Sequence, residues 1–366
     1  MNSNLDTRFI SLALTLGRRG LGNAWPNPAV GAVVVKDGVV VGRGWTQPGG
    51  RPHAEVEALR RAGDAARGAT LYATLEPCSH HGKTPPCVDA IMAAGIARVV
   101  SSLEDPNPKI AGEGHARLRA AGIAVTLGVG ADEARRAHAG HIRRVRDGRP
   151  HVTLKLAVSA DGKAGLAGRK PAAITGAAAR ERVHLMRAMN DAVLTGIGTV
   201  LSDDPQLTCR LPGMEHRSPV RVVLDSELRQ PPSSRLASSA ARTLDWTFAG
   251  ETASPEKERA LTDLGVEVLR VPGAKGRLDL AAVLRGLAGR GITRVMVEAG
   301  PILSAAFLNA DLVDEAALFR SPKPLGPDAI DALEGLPLSA LTQAPGLRLV
   351  GSEAVGEDRL EIFERK

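Results

Sequence analysis

Apolar residues along this chain switch repeatedly between helical and strand periods, and each switch marks an expected element. From about Leu5 to Gly20 they recur at helical spacing. Next comes "AVGAVVVKDGVVVGRGW", two β-branched runs joined at Asp37-Gly38, a dipeptide that strongly favours a two-residue hairpin. The pattern then predicts a helix from about His53 to Ala62, a strand in "ATLYATL", a helix from Val88 to Ala94, a strand in "IARVVSS", a helix from Glu113 to Ala120 and a strand in "IAVTLGV". Such alternation implies a mixed sheet covered by helices.

One basic helix is expected over "ADEARRAHAGHIRRVRDG", and the Asp-Gly-Arg-Pro turn that closes it is the natural domain boundary. We place the domains at residues 1–148 and 149–366, and 366 residues suit two α/β domains better than one core. The second series opens with a strand in "HVTLKLAVSADGK". It continues with a helix Ala177 to Ala188, strands "DAVLTGIG", "PVRVVLD" and "RTLDWTFA", a helix Pro255 to Leu264 and a strand "VEVLRV". A helix Asp279 to Gly286, a strand "RVMVEAG", a helix Ile302 to Asn309, a strand "VDEAALFR" and a hairpin in "LRLVGSEAVGEDRLEIFE" complete it. The halves show no internal repeat.

Composition narrows the class. Three cysteines cannot build a disulfide framework, the polar start "MNSNLDTRFISLALTLGRRG" lacks the marks of a signal peptide, and no apolar run approaches a membrane span, so a cytoplasmic protein is expected. The net charge of +7 is concentrated before residue 148, where 19 Lys and Arg face 13 Asp and Glu, against 28 and 27 afterwards. Much of that excess lies on the expected basic helix, which a solvated face explains. Three tryptophans, one tyrosine and five phenylalanines offer few platforms for stacking bases, which argues against nucleic acid and leaves small anionic substrates as the reading of the charge.

Chemistry concentrates in "RPHAEVEAL" and "TLEPCSHHGKTPPC". His-x-Glu followed by Pro-Cys and a second Cys is the signature of zinc deaminases. In that logic His53, Cys78 and Cys87 hold zinc, with the fourth position left to water as a catalytic site requires. Zinc makes water acidic near neutral pH, and Glu55, two residues from a ligand, is placed to take its proton and pass it to the leaving amine. Both cysteines are expected at or just before a helix N-terminus, where the dipole favours thiolate. The signature usually separates its cysteines by two residues; here eight intervene, among them His80, Lys83 and a proline pair. Cys209 reads as an ordinary buried thiol, His81 as a surface residue, and the other histidines show no metal spacing.

"PNPAVGAVVV", "HAEVEAL", "TLEPCSHHGKTPPC" and "DPNPKIAGEGHARLRAAGI" together resemble the deaminase half of the bifunctional riboflavin-biosynthesis deaminase and reductase family. The long cysteine loop is characteristic of that family. The resemblance implies an N-terminal cytidine-deaminase-like α/β/α domain that hydrolyses the ring amine of a diaminopyrimidinone bearing a phosphoribosylamino group. It puts Asn27, His80, Lys83, Asp105 and Asn107 around that substrate. Asn27 and Asn107 each lie in Pro-Asn-Pro, a setting that a turn alone would also satisfy.

In the second half several Gly-x-Gly pairs occur without completing a GxGxxG fingerprint, so a Rossmann domain is unsupported. "VMVEAGPILSAAF" instead runs from a strand through Gly300 and Pro301 into a helix, a junction that suits a phosphate or only a tight turn. "LKLAVSADGK", "ITGAAARERVHLMRA", "VLTGIGTVLSDDPQLTCR" and "VEAGPILSAAF" resemble the reductase half of the same family. That resemblance implies a dihydrofolate-reductase-like α/β domain in which NADPH reduces the ribosyl group to ribityl. It places Ala157, Ala173, Thr199, Asp203, Gly300, Pro301, Ile302, Leu303, Ser304, Ala305 and Ala306 at NADPH, and Lys163, Pro171, Arg187, Leu207, Arg210 and Glu298 at the substrate. Asp203 would serve equally as a turn cap, Arg187 as a solvated helix charge and Lys163 as a turn residue facing solvent. Where the family commonly has Ser and Trp before "IT", this chain has Pro171 and Ala173, losing a hydroxyl and a stacking face. The resemblance also implies a homo-oligomer, a dimer or tetramer. The alternatives are a deaminase with an impaired reductase half, a nucleobase- or tRNA-editing zinc deaminase, and a zinc-stabilised binding module without turnover.

Overall fold

A computed structural model of the chain describes residues 3–169, 172–274 and 276–366, and its two compact units are Met1–Arg149 and Pro150–Lys366. The first unit runs α1 (Ser3–Gly17), β1 (Gly31–Lys36), β2 (Val39–Trp45), α2 (Ala54–Ala62), β3 (Thr70–Ala73), α3 (Cys87–Ala93), β4 (Arg98–Ser101), α4 (Glu113–Ala120), β5 (Ala124–Leu127), α5 (Ala131–Ala137) and α6 (Ala139–Asp147). Its five strands lie in the order β2-β1-β3-β4-β5, with β2 and β1 antiparallel to their neighbours and β3, β4 and β5 mutually parallel. Asp37 and Gly38 both take positive φ, at 51° and 79°, the backbone that a two-residue hairpin needs.

Side chains alternate across a strand, so one sheet serves two cores. Ala32, Val34, Leu71 and Val99 pack with Ala54 and Ala58 of α2, Val88 and Ile91 of α3 and Leu118 of α4. Their strand neighbours Val33, Val35, Tyr72 and Val100 pack on the other face with Phe9, Ile10 and Leu14 of α1 and Ala134 of α5. The result is an α/β/α sandwich. Ile91, with no exposed surface, seats α3 and hence Cys87 at its first turn. Truncating it to alanine would cost about 2–5 kcal/mol. Asp6 fastens α1 to the sheet: Arg98 donates to both its oxygens at 3.0 and 2.7 Å, and the Tyr72 hydroxyl donates to it at 2.9 Å. Arg98 holds the Asp6 carboxyl below its ordinary range, while burial and then Asp6 push Tyr72 up to about 12.

The second unit runs β6 (His151–Val158), β7 (Lys163–Gly165), α7 (Ala177–Met189), β8 (Ala192–Gly196), α8 (Ile197–Asp203), β9 (Val220–Leu224), α9 (Arg235–Ser238), β10 (Asp245–Gly250), α10 (Pro255–Thr262) and β11 (Glu267–Val271). It continues through β12 (Gly273–Ala274), β13 (Arg277–Leu278), α11 (Leu280–Gly289), β14 (Arg294–Glu298), α12 (Pro301–Asn309), β15 (Glu315–Arg320), β16 (Ile330–Asp331), α13 (Ser339–Thr342), β17 (Leu347–Val355) and β18 (Asp358–Arg365). The main sheet has the order β11-β10-β9-β8-β14-β6-β15-β18-β17, parallel from β11 to β15 and closed by the antiparallel C-terminal hairpin. From β8 the chain winds outward through α8 to β9, whereas from β14 it winds through α12 toward β15 on the opposite side. The carboxyl ends of β8 and β14 therefore flank a topological switch point, where open α/β sheets form their ligand crevices.

Two expected elements differ. The basic helix is broken at His138 into α5 and α6, because that residue leaves helical geometry at φ −97° and ψ 12°. The strand in "DAVLTGIG" stops at Gly196, and Ile197 begins α8, turning its apolar side chain into the core with Val193 and Val200.

Candidate active sites

In the first unit the start of α2, the segment after β3 and the start of α3 bring the expected metal residues together. His53 caps α2 from outside, its Nδ1 lying 3.3 Å from Cys87 Sγ and 3.6 Å from Cys78 Sγ, and one ligand atom from each of the three lies within 4.8 Å of the others. Tetrahedral zinc with its usual bond lengths needs N···S separations of about 3.6 Å, so the donor set fits that ion. Cys87 is the first residue of α3, and its backbone N–H donates to Cys78 Sγ at 3.2 Å. Cys78 thus meets a helix N-terminus in space, although eight residues separate it from the helix in sequence. A hydrogen bond from the Cys87 thiol, then His53 and the Cys87 amide, bring Cys78 down to about 4, while donating that hydrogen and burial push Cys87 up. Burial alone would lower the His53 pKa, but its contact with Cys78 and the Glu55 charge leave it raised.

Glu55, one residue into α2, is buried, its Oε2 has no hydrogen-bond partner, and burial raises its pKa to about 7. A buried carboxyl oxygen without a protein partner beside a metal triad is suited to a water or a reacting group. Asn27 joins the cluster: its amide donates to Gly50 O at 2.8 Å and lies 3.2 Å from His53 Nε2. Asp105 is half-buried and accepts the Asn107 N–H at 2.8 Å; burial and the charges of Glu76 and Cys78 raise its pKa, against the Asn107 amide and His80, which lower it. Asn107 uses its side-chain oxygen to accept the Lys109 N–H at 3.1 Å, the turn role that Pro-Asn-Pro allows. His80 and Lys83 are exposed on the loop between the two cysteines, where Arg51 donates to Thr84 Oγ1. Sequence reasoning missed Glu76, buried two residues before Cys78. Its only sequence signal is a carboxylate within an otherwise apolar strand exit.

In the second unit Thr199, Gly300, Leu303 and Glu298 lie about the carboxyl ends of β8 and β14. Thr199 on α8 lies beside Gly300, since a Cβ built on that glycine would sit 3.8 Å from Thr199 Oγ1, and Leu303 packs against Gly196 at the end of β8. Gly300 caps α12 and Pro301 opens it; Ile302 is exposed, whereas Ser304 and Ala305 turn into the core, the Ser304 hydroxyl donating to Ala299 O at 3.3 Å. Asp203 ends α8, accepts the Ser202 hydroxyl at 2.6 Å and is exposed, and Ala157 stands near the end of β6. Ala173 is exposed, and Pro171 lies outside the described residues.

Arg187 on α7 grips Glu298 at the end of β14 through two hydrogen bonds of 2.9 and 2.8 Å and donates to Thr208 O at 3.0 Å. Glu298 falls to about 2: burial opposes its ionisation, but the charges of Arg187 and Lys155 outweigh that cost. Lys155, which sequence reasoning missed, is in register with Glu298 across β6 and β14, its Nζ 3.9 Å from the carboxylate, and burial lowers its pKa. A lysine between two leucines on a buried strand was the available signal. His184 accepts the Arg210 N–H at 3.3 Å, and Leu207 is buried with φ 53°, a left-handed backbone that a branched side chain adopts only when its surroundings enforce it. Lys163 on β7 is paired with Asp331 of β16 at 2.7 Å.

Fold and site define a zinc-deaminase unit and a reductase unit carried on one chain. Residues 3–103 match the cytidine and deoxycytidylate deaminase zinc-binding region, and residues 150–360 match the RibD C-terminal domain. The chain is 44% identical to riboflavin biosynthesis protein RibD of Escherichia coli over 364 residues, covering 96% of this chain and 97% of that protein. It is 39% identical to RibD of Aquifex aeolicus, with all of both chains covered. Among solved structures, Acinetobacter baumannii RibD superposes with a TM-score of 0.87 at 36% identity, covering 100% of both chains. The Thermotoga maritima protein titled diaminohydroxyphosphoribosylaminopyrimidine deaminase/5-amino-6-(5-phosphoribosylamino)uracil reductase does so at 0.86 and 37%, again over 100% of both chains. The chain belongs to the RibD family of bifunctional riboflavin-biosynthesis enzymes.

Proposed function

We propose that the first unit hydrolyses the ring amine of 2,5-diamino-6-(5-phosphoribosylamino)pyrimidin-4-one to give the uracil, and that the second reduces the ribosyl group of that product to ribityl with NADPH. The observation that carries this reading is the convergence of His53, Cys78 and Cys87 beside the buried Glu55 carboxyl. When bound, zinc supplies a Lewis acid that brings the pKa of water toward neutrality. Glu55 accepts a proton from the attacking water as a C–O bond forms at the ring carbon, and returns one to the amine as the C–N bond breaks and ammonia leaves. Burial favours the protonated form of Glu55, which helps it hold a proton between the two transfers. Asn27, His80, Lys83, Asp105 and Asn107 bind and orient the pyrimidine and its phosphoribosyl tail.

In the second unit NADPH supplies the hydride when bound, along Ala157, Ala173, Thr199, Asp203 and the Gly300–Ala306 turn. Arg187 fixes Glu298 against the sugar, Arg210 and Lys163 provide positive charge for the phosphate, and Leu207 closes the pocket. Lys155 stands beside Glu298 as a proton source for the ring opening that exposes the imine to hydride. The intact Arg187–Glu298–Lys155 group supports a working reductase over an impaired one. A tRNA-editing deaminase has no use for a second unit matched over residues 150–360. The reading carries with it a cytoplasmic homo-oligomer. Incubating the purified chain with the diaminopyrimidinone substrate tests it: ammonia is expected without NADPH, and cofactor absorbance should fall only when NADPH is added. No ammonia from the zinc-loaded chain would overturn the deaminase assignment.

A further inference from the structure

We propose that Glu76 is a positioning residue of the deaminase: its carboxylate sets the loop that presents Asp105 and Asn107 to the substrate. The inference rests on the reading that those two side chains meet the substrate. Glu76 leaves β3 buried, and its oxygens accept four backbone N–H groups: Asp105 at 2.9 Å, Gly112 at 2.9 Å, Gly114 at 2.8 Å and His115 at 3.3 Å. These donors lie on both sides of Asn107 in the chain, so one carboxylate ties the entry of the loop to its exit at the start of α4. Inside the loop, Asp105 accepts the Asn107 N–H, and the Asn107 carbonyl accepts the N–H groups of Ile110 and Ala111. The loop is therefore a rigid unit hung from Glu76.

Two further features show that this attachment is built in. A Cβ on Gly114 would stand 2.1 Å from Pro77 O, so only glycine lets α4 approach the Glu76–Pro77 backbone, and Gly112 reaches its place with φ 83°. The side chain of His115 is fully buried beside the carboxylate, with Nδ1 3.9 Å from Glu76 Oε2 and neither ring nitrogen hydrogen-bonded, and burial lowers its pKa against the pull of the Glu76 charge. Four backbone amides thus satisfy the Glu76 carboxylate directly. Pro77 and the ligand Cys78 follow Glu76 directly, so the same turn that fixes the metal sets the register of the substrate loop.

Glu76→Gln places an NH2 group against amide donors, leaving two of them facing a donor. In the full-length zinc enzyme the expected result is a fall of about 100-fold in deaminase kcat/KM, carried chiefly by KM. A single zinc per chain should be retained, and NADPH-dependent reduction of the deaminated intermediate should be unchanged. Glu76→Asp should recover part of the loss. Because Glu76 acts through the loop, E76Q combined with D105N should cost little more than the costlier single variant. An unchanged KM in E76Q, multiplicative losses in the double variant, or zinc loss in step with activity would each overturn the proposal. An unchanged KM in D105N is a separate failure, that of the Asp105 contact itself.

Discussion

In the first unit three ligand atoms and one buried carboxyl converge within a single cluster drawn from two short sequence motifs, whereas in the second the candidate residues are drawn from many elements, among them β6, β7, α7, α8, β14 and α12. The contrast follows from what each site must hold. A metal ion demands a few donors at fixed distances, and a local motif can meet that demand. A dinucleotide and a sugar phosphate are extended, so their site is spread over neighbouring strands and depends on the order of the sheet. The first site should accordingly fail all at once, and the second by degrees.

Removing zinc with a chelator is the strongest way to break the comparison: ammonia release should vanish, while NADPH oxidation on the deaminated intermediate continues. Glu55→Gln should lower deaminase kcat by about 10²–10⁴-fold with zinc retained by elemental analysis. If zinc leaves with the activity, Glu55 serves the metal site rather than the proton. In the second unit Glu298→Gln should cost about 10–100-fold in reductase kcat/KM, because it weakens a charged hydrogen-bonded pair without emptying the cofactor crevice. Steady-state rates with NADPH varied against fixed intermediate will show whether the loss stays on the substrate side.

Asp6→Asn tests whether the first unit can be loosened far from its metal. A loss of about 1–3 kcal/mol in stability is expected from the half-broken contact with Arg98 and Tyr72. Asp6 is more acidic in the fold than unfolded, so its contribution is complete above the unfolded carboxylate pKa of about 4. It is lost as the pH falls through the lower folded value. The stability gap between wild type and D6N, measured by denaturant titration, should therefore narrow below pH of about 4. The smallest effect is expected of Ala173→Trp: restoring an aromatic face should lower the KM for NADPH by about 2–10-fold. An unchanged KM would place residue 173 away from the cofactor.

Legibility from sequence divides along the same line. The hairpin at Asp37-Gly38 and the convergence of His53, Cys78 and Cys87 are legible because turn chemistry and donor spacing act over a few positions. Glu76 was not, since its four partners lie between 29 and 39 residues away. Lys155 was passed over because its partner Glu298 becomes adjacent only when β14 inserts beside β6. His138 breaks a helix whose charge pattern runs on unchanged, and Ile197 enters a helix with a side chain that suits a strand equally well. The sequence shows Lys163 only as a turn residue, because its Asp331 partner is supplied by a two-residue strand too short to carry a pattern.

The excursion from Ser79 to Pro86 begins and ends on thiols that share one ion. Whatever occupies that centre also fastens both ends of the segment bearing His80 and Lys83, restricting how far those side chains can roam. Metal occupancy would then govern recognition as well as chemistry: the zinc-free chain should bind its pyrimidine more weakly, and not merely fail to turn it over.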